Sequence, residues 1–172
     1  MLKEKVLKAI NQQINNEYYS AFLYLSMSAW FQGKGLPGFA NWMYIQYQEE
    51  LTHGNKFFKY VHDRGSQVDL KSIAQMDTDF ENVISVFEKT LEHEQFVTAS
   101  INKLMDTAIS ESDHATQSFL KWFIDEQVEE EASVNEILDT LRLINGQGNG
   151  IVMLDRELRQ RVFVDDTVTA AE

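Results

Sequence analysis

Four long stretches of this chain repeat apolar residues at three- and four-residue spacing, and near the middle of each the stripe is broken by residues that bind metal. Glu17 breaks the first, Glu50 and His53 the second, Glu94 the third, and Gln127 and Glu130 the fourth. The period is helical, not alternating, so each stretch is an amphipathic helix whose stripe must be buried against the others. A chain of 172 residues, 44% of them apolar, has enough material for one domain with a real core.

Breaks fall at Gly33, Gly35, Pro37 and Gly38, at Gly65, and at Gly146, Gly148 and Gly150. They predict helices over 4–32, 37–64, 78–106 and 113–144, with a short fifth helix over 151–160. Pro37 suits a first helical turn, and Asp113 can cap the fourth helix. The first and second helices are joined by a short connection, as are the third and fourth, so each pair is antiparallel. The stretch 65–77 is long enough to run roughly 43 Å extended. A helix of about 28 residues is roughly 42 Å long, so this connection can cross the full bundle and make the second and third helices parallel. The expected fold is all-α: a four-helix bundle with one long crossover and a short C-terminal helix. One domain is expected over 1–162, with 163–172 a polar, flexible tail.

The stripes carry their ligand-type residues at one depth. The first reads Ile10, Ile14, Glu17, Ala21, Tyr24; the second Met43, Gln46, Glu50, His53, Phe57; the third Leu91, Glu94, Thr98, Ile101; the fourth Phe123, Gln127, Glu130, Val134. A buried, unpaired carboxylate costs several kcal/mol or stays protonated. No lysine or arginine lies on these stripes, whereas two divalent cations would neutralise four glutamates. His53 stands three residues after Glu50, on the same face, where a neutral imidazole can donate a nitrogen. Glu-x-x-His on a bundle helix is a carboxylate-bridged di-iron or di-manganese pattern. Each residue alone is weak: single glutamates are usually solvated, and a single histidine is usually structural. Their joint placement on four stripes makes the metal reading. Oxygen-rich ligands with one imidazole and no sulfur suit iron or manganese better than copper.

Composition narrows the partners. With no cysteine, disulfides, thiolate zinc sites, iron–sulfur clusters and thiol nucleophiles are excluded together, and a reducing compartment fits. The N-terminal stretch lacks an apolar signal core, and the most apolar stretch, 21–31, is too short to span a bilayer. A cytoplasmic protein without a membrane partner is expected. The net charge of −12 argues against nucleic acid.

The segments NNEYYSAFLYLSMSAWF, YQEELTHGNKFF and DEQVEEE together resemble the non-haem ferritins of the bacterial type, over nearly the whole length. The resemblance implies a ferroxidase centre in which one iron is held by Glu17, Glu50 and His53. The second iron is held by Glu50, Glu94 and Glu130, with Gln127 close by. It implies a third iron site at Glu49, Glu126, Glu129 and Glu130, residues that otherwise read as a solvated acidic face. Tyr24 becomes a tyrosine beside the iron pair, able to donate a hydrogen bond or an electron; otherwise it is core packing. Also implied are oxidation of ferrous iron by dioxygen or peroxide, storage of the ferric product as a mineral, and a hollow 24-subunit homo-oligomeric cage. The aromatic residues Trp30, Phe31, Trp42, Tyr44, Tyr47, Phe58 and Trp122 exceed what one bundle needs and suggest subunit interfaces.

Related patterns fit less well. Bacterioferritins carry a second Glu-x-x-His where this chain has Gln127 to Glu130, and a haem-binding methionine where it has Leu51, so no haem is expected. The rivals are a di-iron enzyme acting on an organic substrate and a metal-free structural bundle.

Overall fold

The computed structural model describes residues 1–165 and 167; the expected tail over 163–172 therefore falls mostly outside the described residues. The described residues form five α-helices and no strand: α1 Glu4–Gly33, α2 Pro37–Asp63, α3 Val83–Ser110, α4 His114–Leu143 and α5 Gly148–Leu158. None is long and apolar enough to cross a membrane.

Local chemistry sets the boundaries. Pro37 occupies the first turn of α2. The side chain of Asp113 accepts the Thr116 N–H at 3.1 Å and starts α4. The third helix begins at Val83, five residues later than the periodicity predicts. There the Asn82 side-chain Oδ1 accepts the Ser85 backbone N–H at 2.9 Å while Ser85 Oγ accepts the Asn82 N–H at 3.0 Å, a reciprocal cap that stops the helix from starting earlier. Phe80, just outside the cap, packs edge-on against Trp30 instead of continuing a helical stripe. Gly65, at φ +65°, ends α2 with Ser66 N–H bonded back to the Val61 carbonyl at 3.1 Å.

The crossover, 64–82, is longer than the 65–77 read from sequence and lies along α1. Leu2 N–H donates to Ser66 Oγ, Asp69 N–H to Asn11 Oδ1, and Ser26 Oγ to the Asp77 carbonyl. Contacts thus advance along α1 as the crossover advances, so it runs parallel to α1 and returns the chain to the far end. Lys5 Nζ, at the start of α1, meets Glu111 at the end of α3 at 2.8 Å, so these two helices are antiparallel.

The core is not continuous. One apolar cluster gathers Met27, Phe31, Phe39, Trp42, Phe87 and Leu138. A second gathers Ile10, Ile14, Phe57, Ile101, Leu120 and Phe123. Between them, at mid-bundle, the buried residues are Glu17, Ser20, Gln46, Glu50, His53, Glu94, Gln127 and Glu130. Phe31 and Trp42, which the sequence suggests are surplus to one bundle, are core residues. Tyr44, by contrast, is 46% exposed.

Candidate metal centre

Each of the four long helices delivers its mid-stripe residues to one buried layer. Glu17, Glu50, His53, Glu94, Gln127 and Glu130 are all at most 5% exposed. One ligand atom from each of Glu17, Glu50 and His53 lies within 4.8 Å of the other two. His53, Glu126 and Glu130 form a second such group, so His53 belongs to both. The ring of His53 is fixed by Trp122 and Phe123, both edge-on at centroid distances of 5.4 and 6.1 Å. Gly54 beside it has a steric cause: a Cβ there would sit 2.6 Å from Cε1 of Tyr18.

Not every residue singled out in the sequence joins these groups. The Glu94 carboxylate is held by the Tyr24 hydroxyl and by Gln127 Nε2, the latter at 3.1 Å. Glu49 pairs with Arg161, Nη2 to Oε2 at 2.7 Å. Glu129 is exposed.

Hydrogen bonding leaves the centre half satisfied. Glu17 Oε1 accepts from Gln13 Nε2 at 2.8 Å, and Glu130 Oε2 accepts from Gln46 Nε2 at 2.8 Å. Glu17 Oε2, both oxygens of Glu50 and His53 Nε2 are buried and have no N–H or O–H partner. Glu50 Oε2 also lies 3.4 Å from His53 Nδ1. A buried acceptor left unpaired costs about 1–3 kcal/mol, and more when charged. Four such atoms converging in one layer could hold a metal ion, since a metal uses the lone pairs that the protein leaves free.

The electrostatics agree. Burial, and then the charges of Glu17, Glu94 and Glu130, push the Glu50 carboxyl well above its ordinary range. Burial and the Glu130 charge raise Glu94 to about 8, although the hydrogen bonds from Tyr24 and Gln127 oppose the rise. Burial and the surrounding carboxylates also push the Tyr24 hydroxyl well up, which keeps it a donor to Glu94.

Sequence reasoning gave no role at the site to several supporting residues. Gln13 and Gln46 each stand four residues before a glutamate of the centre, a spacing that could have flagged them. Asn16 and Ser100 extend the polar layer: Asn16 Nδ2 donates to Ser100 Oγ at 2.9 Å and Ser100 Oγ to Gln13 Oε1 at 2.6 Å. His93, given no role from sequence, bonds Ser20 Oγ at 2.7 Å, and burial lowers it to about 4, so it is neutral. Arg161, far away in sequence, carries no local signal at all.

Cavities near the centre are small. A cleft of about 310 Å³, lined by Thr98, Gln127 and Glu131 among others, reaches the layer at Gln127. A groove of about 660 Å³ between α1 and α3 touches Asn16 and Ser100 but none of the glutamates.

The Ferritin family model, described as a ferritin-like domain, matches residues 7–144. The chain is 40% identical over 159 residues to the bacterial non-heme ferritin of Campylobacter jejuni, covering 92% of this chain and 95% of that one. It is 36% identical over 166 residues to the bacterial non-heme ferritin of Staphylococcus aureus, covering 96% and 100%. An engineered closed form of the Archaeoglobus fulgidus ferritin superposes with a TM-score of 0.94 at 44% identity, over 95% of this chain and all of that one. The open-pore ferritin of the same archaeon gives 0.92 at 44% identity, over 94% and 100%.

Proposed function

Since the chain belongs to the ferritin family, we propose that its mid-bundle layer is a ferroxidase centre that oxidises ferrous iron with dioxygen or peroxide and passes it to a stored ferric mineral. Iron storage is the function its relatives support. The observation that carries the reading is the set of buried, unpaired lone pairs on Glu17, Glu50 and His53.

In this reading Glu17, Glu50 and His53 take one ferrous ion. Glu50, Glu94 and Glu130 take the other, with Gln127 beside them. Two divalent ions balance four carboxylates. Tyr24 and Gln127 hold Glu94, and Gln46 holds Glu130, so the two carboxylates present their remaining oxygens in fixed directions. Hard anionic oxygens favour the ferric over the ferrous ion and so ease the loss of an electron. Two ferrous ions supply two electrons, which dioxygen takes up with two protons as hydrogen peroxide. The ferric ions then leave toward the store.

A third iron site is read at Glu49, Glu126, Glu129 and Glu130. His53, Glu126 and Glu130 already converge, which supports it. No haem is part of the reading, because Leu51 after Glu50 offers no thioether ligand. The assembly is read as a homo-oligomeric cage of 24 subunits in the cytoplasm. Phe22, Tyr47 and Tyr44 make a chain of ring contacts across α1 and α2, and Phe22 and Tyr44 are exposed, as an interface would need.

The test adds ferrous iron aerobically to the purified assembly and to a Glu50→Ala, His53→Ala variant, and follows ferric absorbance with time. The parent should oxidise iron and keep it soluble. The variant should be slower by at least about a hundredfold, beyond what outer ligand partners usually contribute. Equal rates would overturn the reading.

A further inference from the structure

The short α5 brings a cation to the edge of the acidic centre. Asp155 Oδ1 accepts the backbone N–H groups of Gly38 and Phe39, at 2.7 and 3.1 Å, and so caps the free N-terminal end of α2. Gly38 makes the approach possible: a Cβ there would lie 1.6 Å from the Asp155 carbonyl oxygen. Asn41 Nδ2 donates to the carbonyls of Leu158 and Arg161, at 3.3 and 3.0 Å, which fixes the chain as it leaves α5.

Arg161 then lies along one stripe of α2. Its guanidinium sits 4.8 Å from the Trp42 ring centroid. Nη1 donates to Gln46 Oε1 at 2.5 Å, and Nη2 to Glu49 Oε2 at 2.7 Å. Residues 42, 46 and 49 follow the helical repeat, so the planar side chain meets all three at once. Arginine has donors only, so it fixes Gln46 with its oxygen outward and its NH2 toward Glu130, 2.8 Å away. The guanidinium is thus one amide away from a glutamate of the centre, and it holds a carboxylate of the third iron site.

We propose that Arg161 is a resident counter-ion of the third iron site: it occupies Glu49 until a metal ion displaces it, and so makes this site weaker than the two central ones. The proposal rests on the third-site reading given above. A divalent ion placed on Glu49 brings a second cation beside the guanidinium on one carboxylate, and at that range the two charges repel. Metal binding there works against a charge-assisted hydrogen bond, whereas binding at Glu17, Glu50 and His53 meets unpaired atoms. The difference orders the filling: central pair first, third site last and most readily released.

The experiment titrates the metal-free assembly with zinc, which is redox-inert, for the parent, Arg161→Gln and Arg161→Lys. Equilibrium dialysis gives the bound number and affinities, and anomalous diffraction at the zinc edge locates each ion. Arg161→Gln should bind the third zinc on the order of tenfold tighter, the worth of one charge-assisted bond. Arg161→Lys, which keeps the cation, should stay within about threefold of the parent, a rescue that a merely structural role would not give. If the third site fills in all three proteins with one affinity, the proposal is overturned and the third site stands. If no zinc is found between Glu49, Glu126 and Glu129 in any of them, the third-site reading falls and takes the proposal with it.

Discussion

Where α3 turns into α4, Asp113 is buried beside Arg64; halfway along the bundle, Glu17, Glu50, Glu94 and Glu130 are buried beside one another. At the turn, both Asp113 oxygens accept from the guanidinium at 3.1 Å, and one also accepts the Thr116 N–H. Burial raises the Asp113 carboxyl, but the Arg64 and Thr116 hydrogen bonds outweigh it and hold the group below its ordinary value. At mid-bundle the same burial is offset only in part, by Tyr24 and Gln127 at Glu94, and Glu50 and Glu94 are pushed up. This chain therefore supplies its own cation to a buried carboxylate where the task is to close a turn. It withholds one at the layer proposed to take a cation from outside. Arg161 marks the boundary between the two treatments, since it reaches Glu49 and stops one residue short of Glu50.

The largest expected effect that separates the two regions is the dependence of stability on pH. Glu94 rises from an ordinary 4.5 to about 8, so the metal-free fold binds more protons than the unfolded chain between those values. Its contribution is fully present below about 4.5 and is lost as pH rises through about 8. Asp113 runs the other way: its contribution is present above its ordinary 3.8 and is lost as pH falls through its lower folded value. Thermal midpoints of the metal-free protein should therefore fall between pH 5 and pH 8. With zinc bound the trend should reverse, because metal and protons compete for the same oxygens. A metal-free midpoint that climbs over this range would show that the central carboxylates are not strained by one another.

Next in size is a pair of substitutions with opposite signs. Arg64→Ala leaves Asp113 buried without its cation and should destabilise the metal-free protein by about 2–3 kcal/mol, less than a fully buried pair because Arg64 is partly exposed. Glu50→Gln removes a carboxyl whose ionisation burial and the neighbouring glutamates oppose, and should stabilise the metal-free protein by about 1–2 kcal/mol near neutral pH while abolishing tight metal binding. Thermal denaturation in chelator measures both. A loss of stability in Glu50→Gln would mean that the carboxylate is already compensated within the protein.

The contrast also explains what could be read without a structure. The fold was legible because four 3-4 stripes and two short connections leave few ways to bury so much apolar surface, and the depth of the glutamates followed from counting along each stripe. The start of α3 was not, because periodicity extends past the point where the reciprocal Asn82–Ser85 cap forbids helix. Phe31 and Trp42 were misplaced for a related reason: a stripe marks one face, and these bundle helices bury more than one. At the site, Glu17, Glu50, His53, Glu94, Gln127 and Glu130 were visible because each interrupts an apolar pattern. Gln13 carried the weaker mark of a polar residue one turn before a glutamate. Arg161 carried none: its meaning depends on α5 docking across the start of α2, a tertiary fact that no local pattern encodes.

The smallest expected effect tests how finely the centre is tuned. Tyr24 donates to Glu94 and, with Gln127, offsets part of the rise that burial imposes on that carboxyl. Tyr24→Phe keeps the ring and its packing but removes the donor, so Glu94 should hold its proton to a still higher pH. Zinc affinity at the central pair should weaken by about three- to tenfold near pH 6.5, where the proton must be displaced. The gap should shrink as pH approaches 8.5, where Glu94 is losing that proton unaided. A constant deficit across the pH range would mean that Tyr24 acts through shape rather than through its hydroxyl. No deficit at any pH would mean that Gln127 alone suffices to orient Glu94. Asp113 provides the control, because Thr116→Val there removes a hydroxyl next to a carboxylate already held by a cation and should leave zinc binding unchanged.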